Sequence, residues 1–270
     1  MITLVGIGHV FSIKKAIKYL IHQLGPDAVC LELDRIRFDA LERGVRGSEE
    51  APFLFKRLQK VYDKAARTQG ASVGEEMLGA AEAAKEIGVP HIFIDVEASP
   101  MVVDMFQKLS MSEKMRLIGS VLGASILPKS TLEDGIKKIG ENPEEYMEQF
   151  GKAFPTLKKD IVDYRDRHMA GKLIHLSREY PHLLAVVGEG HVKGMEKYLS
   201  THGLNIIHLK DVREIARKIE AGVLKVPKQS ETDPSPSGGE NVQVHFSFVV
   251  DTPKEFTEEK GKLPSEDGSI

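Results

Sequence analysis

Two short stretches constrain this fold more than anything else in the chain. Residues 183–187 (LLAVV) form an apolar run of strand length, broken by Gly188 and Gly190 ahead of an amphipathic helical stretch over 192–199. The chain opens the same way, with a strand over 2–5, the turn Gly6-Ile7-Gly8-His9, and a helical run over 11–24. Each strand is followed by Gly-x-x-His, from Gly6 to His9 and from Gly188 to His191. Both imidazoles therefore stand at the carboxyl end of a strand and beside a helix N-terminus. Open α/β sheets gather their ligands at that edge, so the two motifs read as halves of one site.

The rest of the chain supplies more strands for the same sheet. Residues 27–33 (DAVCLEL) are almost continuously apolar, as a strand covered on both faces requires. Residues 91–94 form a third strand ending at Asp95, and residues 204–209 a fifth after the helix that follows His191. Helices are expected near Pro52, over 74–87 and over 212–221, giving a β-α-β-αα-β opening. Residues 100–180 contain no strand signal. Helices there are expected to start at Pro100, Ser112, Ser130, Pro143 and Pro155, with Ser130 and Glu133 as a capping box. The fold class is α/β: a mixed, mostly parallel sheet flanked by helices, with a large helical insertion (about 100–180) between strands three and four. That domain spans 1–224. Residues 225–240, including KQSETDPSPSGGE, read as a disordered linker, 241–250 as a C-terminal strand and 251–270 as a disordered tail. A strand on a flexible tether makes a homodimer by strand exchange an expected assembly.

Charge and composition remove several function classes. The 37 basic and 40 acidic residues leave a formal charge of -3, without the basic excess of a nucleic-acid binder. The single cysteine, Cys30, lies within an apolar strand, reads as a core residue and fits a reducing compartment. Met1 leads directly into a strand, with no leader, and no apolar run reaches the roughly 20 residues that cross a bilayer. The expectation is a cytoplasmic protein with no integral membrane segment.

Four strands end in a group with chemistry: His9, Glu32, Asp95 and His191. If the strands are parallel neighbours, these side chains converge. Two imidazoles with a carboxylate are a common ligand set for a catalytic divalent metal such as Mn, Co or Zn, and the glycines leave room for close approach. Glu32 inside an apolar strand demands a partner, and the plain alternative is an ion pair with Arg35 or Arg37. Asp95 is either a site residue or a helix cap. Arg165 and Asp166 sit mid-helix, facing either the site or solvent; His168 and His175 read as surface residues. Glu189, between two glycines, is a general base or an exposed turn residue. No phosphate-binding glycine loop and no G-x-S-x-G is present.

Five segments in order, GIGHV (6–10), VCLELDRIR (29–37), GEEM (74–77), YRDRHMA (164–170) and VVGEGHVKGM (186–195), together resemble the TraB family. That family includes the pheromone-shutdown protein PrgY and is related to GumN-like and Tiki proteins. The resemblance covers roughly residues 1–220. It implies a mixed sheet flanked by helices and, from the Tiki relatives, metal-dependent peptide hydrolysis using both Gly-x-x-His motifs and a glutamate. By position these are His9, His191 and Glu32, with Arg37, Arg165 and Asp166 matching the family's arginines and aspartate, and Glu76 matching within GEEM. Tyr164 replaces a usual Glu, Val96 a frequent Arg, and the transmembrane helices of many relatives have no counterpart.

The leading expectation is a metallopeptidase-like hydrolase of peptide or protein substrates. His9, His191 and Glu32 would hold the metal, with Glu32 as third ligand or base. Arg37 or Arg165 would grip a substrate carboxylate or the oxyanion. Gly6, Gly8, Gly188, Glu189, Gly190, Asp95 and Glu76 would support the ligands or substrate. Two alternatives stand beside it: a peptide-sequestering protein without turnover, and a metal-independent, esterase-like hydrolase with His9 as base.

Overall fold

The computed structural model describes residues 1–9, 11–45, 74–97, 108–128 and 141–227, with a few isolated positions between them. Its strands are β1 (Ile2–Ile7), β2 (Ala28–Leu31), β3 (His91–Phe93), β4 (Leu183–Gly188) and β5 (Leu204–Ile207). They form one sheet in the order β3-β2-β4-β1-β5, and every pairing is parallel. The mixed sheet expected from sequence is thus wholly parallel among the described residues. Each strand is followed by at least one helix, which gives the crossover length parallel pairing needs.

The helices are α1 (Lys14–Leu24), α2 (Arg35–Glu42), α3 (Glu75–Glu86), α4 (Met111–Ile126), α5 (Pro143–Ala153), α6 (Pro155–Leu157), α7 (Tyr164–Leu176), α8 (Glu189–Leu199) and α9 (Leu209–Glu220). Strand alternation divides the core in two. Val5, Ile7, Val29, Leu31, Leu184 and Val186 face α1, α3 and α9. Ile2, Leu4, Cys30, Leu183, Ala185 and Val187 face α7 and α8 on the other side. The adjacent central strands β1 and β4 therefore send their following helices to opposite faces. Between two such strands the carboxyl ends open into a crevice. With Ile7 opposite Gly188 in the register, both Gly-x-x-His motifs lie on that crevice.

Local chemistry sets several boundaries. Gly188 caps α8, so the helix starts at Glu189 and His191 sits in its first turn, earlier than the expected start at 192. β2 stops at Leu31, leaving Glu32 just past the strand. The unexpected α2 starts where Asp34 accepts the Arg37 N–H at 2.8 Å. Ser110, rather than Ser112, caps α4, in a capping box with Glu113. Pro143 and Pro155 open α5 and α6, as expected. The single long helix expected from Pro155 is interrupted by a π-helical segment, Lys158–Asp163, directly before α7. The helices near Pro52 and Pro100, the Ser130–Glu133 pairing, most of the linker and the C-terminal strand and tail lie outside the described residues. Among the described residues, no helix is long and apolar enough to cross a membrane.

Candidate active site

Both motif histidines are oriented the same way. His9 Nδ1 lies 2.6 Å from Oε1 of Glu76, a fully buried residue in the first turn of α3, which Gly74 starts at φ 85°. His191 Nδ1 lies 2.5 Å from Oδ1 of Asp166 at the start of α7. An ionised carboxylate only accepts hydrogen bonds, so Nδ1 carries a proton in each ring and Nε2 is the nitrogen turned to the crevice. Burial works against a charge on His191. The Glu32 carboxylate and the Asp166 bond outweigh it and push the imidazole up to about 9. Burial likewise opposes a charge on His9, but the Glu76 bond raises it above its ordinary value.

Glu32 is the hub of the carboxylate side. Its Oε1 accepts from Arg165 Nη2 and lies 3.2 Å from His191 Nε2, while Oε2 accepts the Gly188 N–H at 2.5 Å. Burial would raise its pKa, but the His191 and Arg165 charges hold it well below the carboxylate range. The ion pair expected with Arg35 or Arg37 is instead made by Arg165, across 133 residues of chain. Arg165 also grips Asp95, through Nε to Oδ1 at 2.9 Å and Nη2 to Oδ2 at 2.7 Å. Arg37 continues the chain, from Nη2 to Asp95 Oδ2 and from Nε to Asp34 Oδ2, each 2.6 Å. Asp95 is thus an anchor for two guanidiniums. Neither arginine presents the unengaged fork that gripping a substrate carboxylate requires.

The glycines mark where space is needed. A Cβ on Gly188 would lie 3.3 Å from Glu32 Oε2, 3.6 Å from His191 Cδ2 and 3.7 Å from His9 Nε2. The three strand-end groups therefore meet over this one residue. A Cβ on Gly6 would stand 1.9 Å from Glu189 Oε2, one on Gly8 2.7 Å from the Phe11 ring, and one on Gly190 3.1 Å from Met147 Sδ. Glu189 is neither a free base nor an exposed turn residue. It is 11% exposed, accepts the Leu209 N–H at 2.8 Å and lies 2.7 Å from His208 Nδ1. His168 is no solvated surface group: its Nε2 is buried without a partner among the described residues, and its ring stacks on Tyr164.

One residue of this edge was not singled out from sequence, and a second was marked by resemblance alone. His208 stands at the end of β5, but reading that strand through to 209 placed it inside. Glu76 had only the resemblance to mark it, since no local pattern shows that a helix-start glutamate meets a histidine 67 residues earlier.

The donors can be tested against the divalent metal expected here. Two imidazoles held by buried carboxylates through Nδ1 have the outer anchoring that metal-binding histidines use. His191 Nε2 lies 3.2 Å from Glu32 Oε1 and His9 Nε2 lies beside the same Gly188, so the donor chemistry fits. No group of three or more His, Cys, Asp or Glu is pre-arranged around a common point among the described residues. Glu32 is engaged by Arg165, and His191 carries a proton on the side a cation would take.

The sequence profile of the TraB/PrgY/gumN family matches residues 2–204. An uncharacterized protein of Methanocaldococcus jannaschii is 30% identical over 211 residues, which are 73% of this chain and 53% of that protein. The chain thus spans about half the length of the curated relative it matches.

Proposed function

Since this chain belongs to the TraB/PrgY/gumN family, we propose that the crevice between β1 and β4 is a hydrolase centre for peptide bonds. It would be assisted by a divalent metal (Mn, Co or Zn) on His9 Nε2, His191 Nε2 and Glu32. The observation that carries this reading is the meeting of two carboxylate-anchored imidazoles and Glu32 over Gly188. When bound, such an ion supplies Lewis acidity, lowering the pKa of a water and polarising a carbonyl. The chain's own groups do the rest. Glu76 and Asp166 fix which nitrogen of each ring faces the substrate. Arg165 orients Glu32 and keeps it ionised, the state in which a carboxylate can face a cation. The Gly188 N–H holds the other carboxylate oxygen, and the missing side chain at Gly188 leaves room for the scissile group.

One observation favours a second reading. His9 has a 38% exposed side chain with Nδ1 fixed by Glu76, the arrangement of a general base oriented by a carboxylate. With Arg165 on Glu32, that dyad can activate water against an ester or amide carbonyl without a metal.

Cleavage of a mixed peptide library by the purified full chain separates the readings. Chelator-sensitive cleavage, restored by Mn²⁺, Co²⁺ or Zn²⁺ and reduced by about a thousandfold or more in His9→Ala and His191→Ala, is the expected result. Chelator-resistant cleavage lost in His9→Ala and Glu76→Gln supports the metal-free base. Saturable peptide binding with no cleavage under either condition makes this a sequestering protein. A solution mass unchanged by truncation at Lys228 removes the proposed strand-exchanged homodimer.

A further inference from the structure

The β5 side of this edge carries a second set of groups that the proposed chemistry does not use. His208 follows β5 directly, one strand over from β1, and its side chain is 42% exposed. Its Nδ1 is held by Glu189, whose carboxylate lies against the Cα of Gly6, so the ring is fixed to the floor of the His9 motif. Further along α9, the Arg213 guanidinium lies over Phe11, 4.4 Å from the ring centroid. Phe11 and Leu209 fill the space above Gly8. These contacts tie His208 and Arg213 to the two glycines that flank His9's turn.

Arg213 differs from the site's other arginines. Arg37 and Arg165 are engaged by Asp34, Asp95 and Glu32. Arg213 has no carboxylate partner among the described residues, and its place over the Phe11 ring holds the guanidinium without engaging a hydrogen-bond acceptor. The acids nearest His208 are both directed elsewhere in part. Glu189 also takes the Leu209 N–H, and Asp211 accepts the His208 backbone N–H at 3.2 Å. The Glu189 bond raises the His208 imidazole above its ordinary value, favouring the form that donates from both nitrogens. Both residues lie beyond residues 2–204, the part matched to the family.

We propose that His208 and Arg213 form a carboxylate-binding subsite on the β5 side of the crevice, positioning a substrate that bears a free carboxylate near His9. Arg213 would take the carboxylate through two N–H groups and His208 through Nε2–H. This rests on the crevice being a substrate site, and it selects peptides with a nearby C-terminus, or otherwise acidic ones, over internal neutral segments.

The test reads binding, not turnover. Acetyl-trialanine with a free carboxylate and its carboxamide are titrated into the full chain, following the His208 imidazole C–H and Arg213 Nε–H resonances. The acid is expected to shift both signals saturably and to bind at least about tenfold more tightly than the amide. His208→Asn keeps a good helix cap and a donor toward Glu189, and Arg213→Gln keeps a side chain over Phe11. Each is expected to erase most of the preference without lowering the melting temperature. Should Arg213→Gln melt early, Arg213→Lys must still retain part of the preference. Equal affinity for acid and amide, or no shift from either by about 20 mM, overturns the subsite. Absence of peptide cleavage with the preference intact overturns the hydrolase reading alone.

Discussion

A methyl group at Gly188 would touch Glu32, His191 and His9 at 3.3–3.7 Å, ordinary contact distances or nearly so. At Gly194 a methyl would fall 1.7 Å from Asp166 Oδ2, and at Gly6 1.9 Å from Glu189 Oε2, where the carboxylate must move. The three substitutions should therefore separate stability from function. Gly188→Ala is expected to fold with stability within about 0.5 kcal/mol of the wild type while losing about tenfold or more of any activity, because the lost space is the substrate's. Gly6→Ala and Gly194→Ala are expected to cost about 1–3 kcal/mol, since each displaces a buried carboxylate that caps a helix or holds His191. Denaturant melts beside activity assays check this, and a strongly destabilised Gly188→Ala would remove the idea that the space is kept for a ligand. At this scale the sequence was informative where a polar residue interrupts an apolar strand. Glu32 was legible for that reason, and His9 and His191 through the Gly-x-x-His that follows each strand. The partners of Arg165 were not, because a mid-helix position does not say which way a side chain points.

Elements are tied to one another by a few carboxylates that the chain order does not reveal. Glu113 closes the capping box with Ser110 at the start of α4 and also accepts from Thr156 N and Oγ1, at 2.8 and 2.9 Å, at the start of α6. Burial would raise the Glu113 carboxyl, but the Ser110 and Thr156 hydrogen bonds pull it down to about 2. A folded-state value below the unfolded one gives stability that is present above the ordinary glutamate range and lost as pH falls through the folded value. Replacing Glu113 by Gln should thus lower the melting temperature at neutral pH, by the loss of about 1–2 kcal/mol. The deficit should shrink between about pH 4.5 and pH 2, where the wild-type carboxylate protonates. A deficit constant across that range would mean the carboxylate's charge contributes nothing. Between this anchor and the site lies the π-helical segment Lys158–Asp163. It adjusts the helical register between Thr156, fixed to Glu113, and Asp166, fixed to His191. Periodicity reveals helices that repeat at 3.6 residues, so a register change forced by two distant anchors left no local signal.

Taken whole, the site is an outcome of topology. Central strands β1 and β4, 181 positions apart between Ile2 and Leu183, are paired in parallel with their helices on opposite faces. That opens the crevice and brings together Glu76 from α3, Asp166 from α7 and His191 from α8. The alternation of short apolar runs with helical stretches made the α/β class legible. The order β3-β2-β4-β1-β5 was not, because β4 slots between β1 and β2 through long-range pairing that no local pattern encodes. The same connectivity sets an expectation for the whole molecule. Groups from residues 9 to 191 line one crevice, so a cation bound there would link segments that unfolding must separate. On the proposed reading, Mn²⁺, Co²⁺ or Zn²⁺ at about a hundredfold excess over its dissociation constant stabilises the native state by about 2.7 kcal/mol. For a domain of this size that raises the melting temperature by roughly 5–10 °C. Since His191 keeps its proton up to about 9 and a metal must displace it, the shift should be larger at pH 8.5 than at pH 6.5. His9→Ala and His191→Ala should abolish it, whereas His208→Asn should leave it intact, because His208 belongs to the substrate side of the edge. A shift that survives both alanine substitutions would place the bound cation elsewhere and remove the metal from this crevice, leaving the Glu76–His9 dyad as its working base.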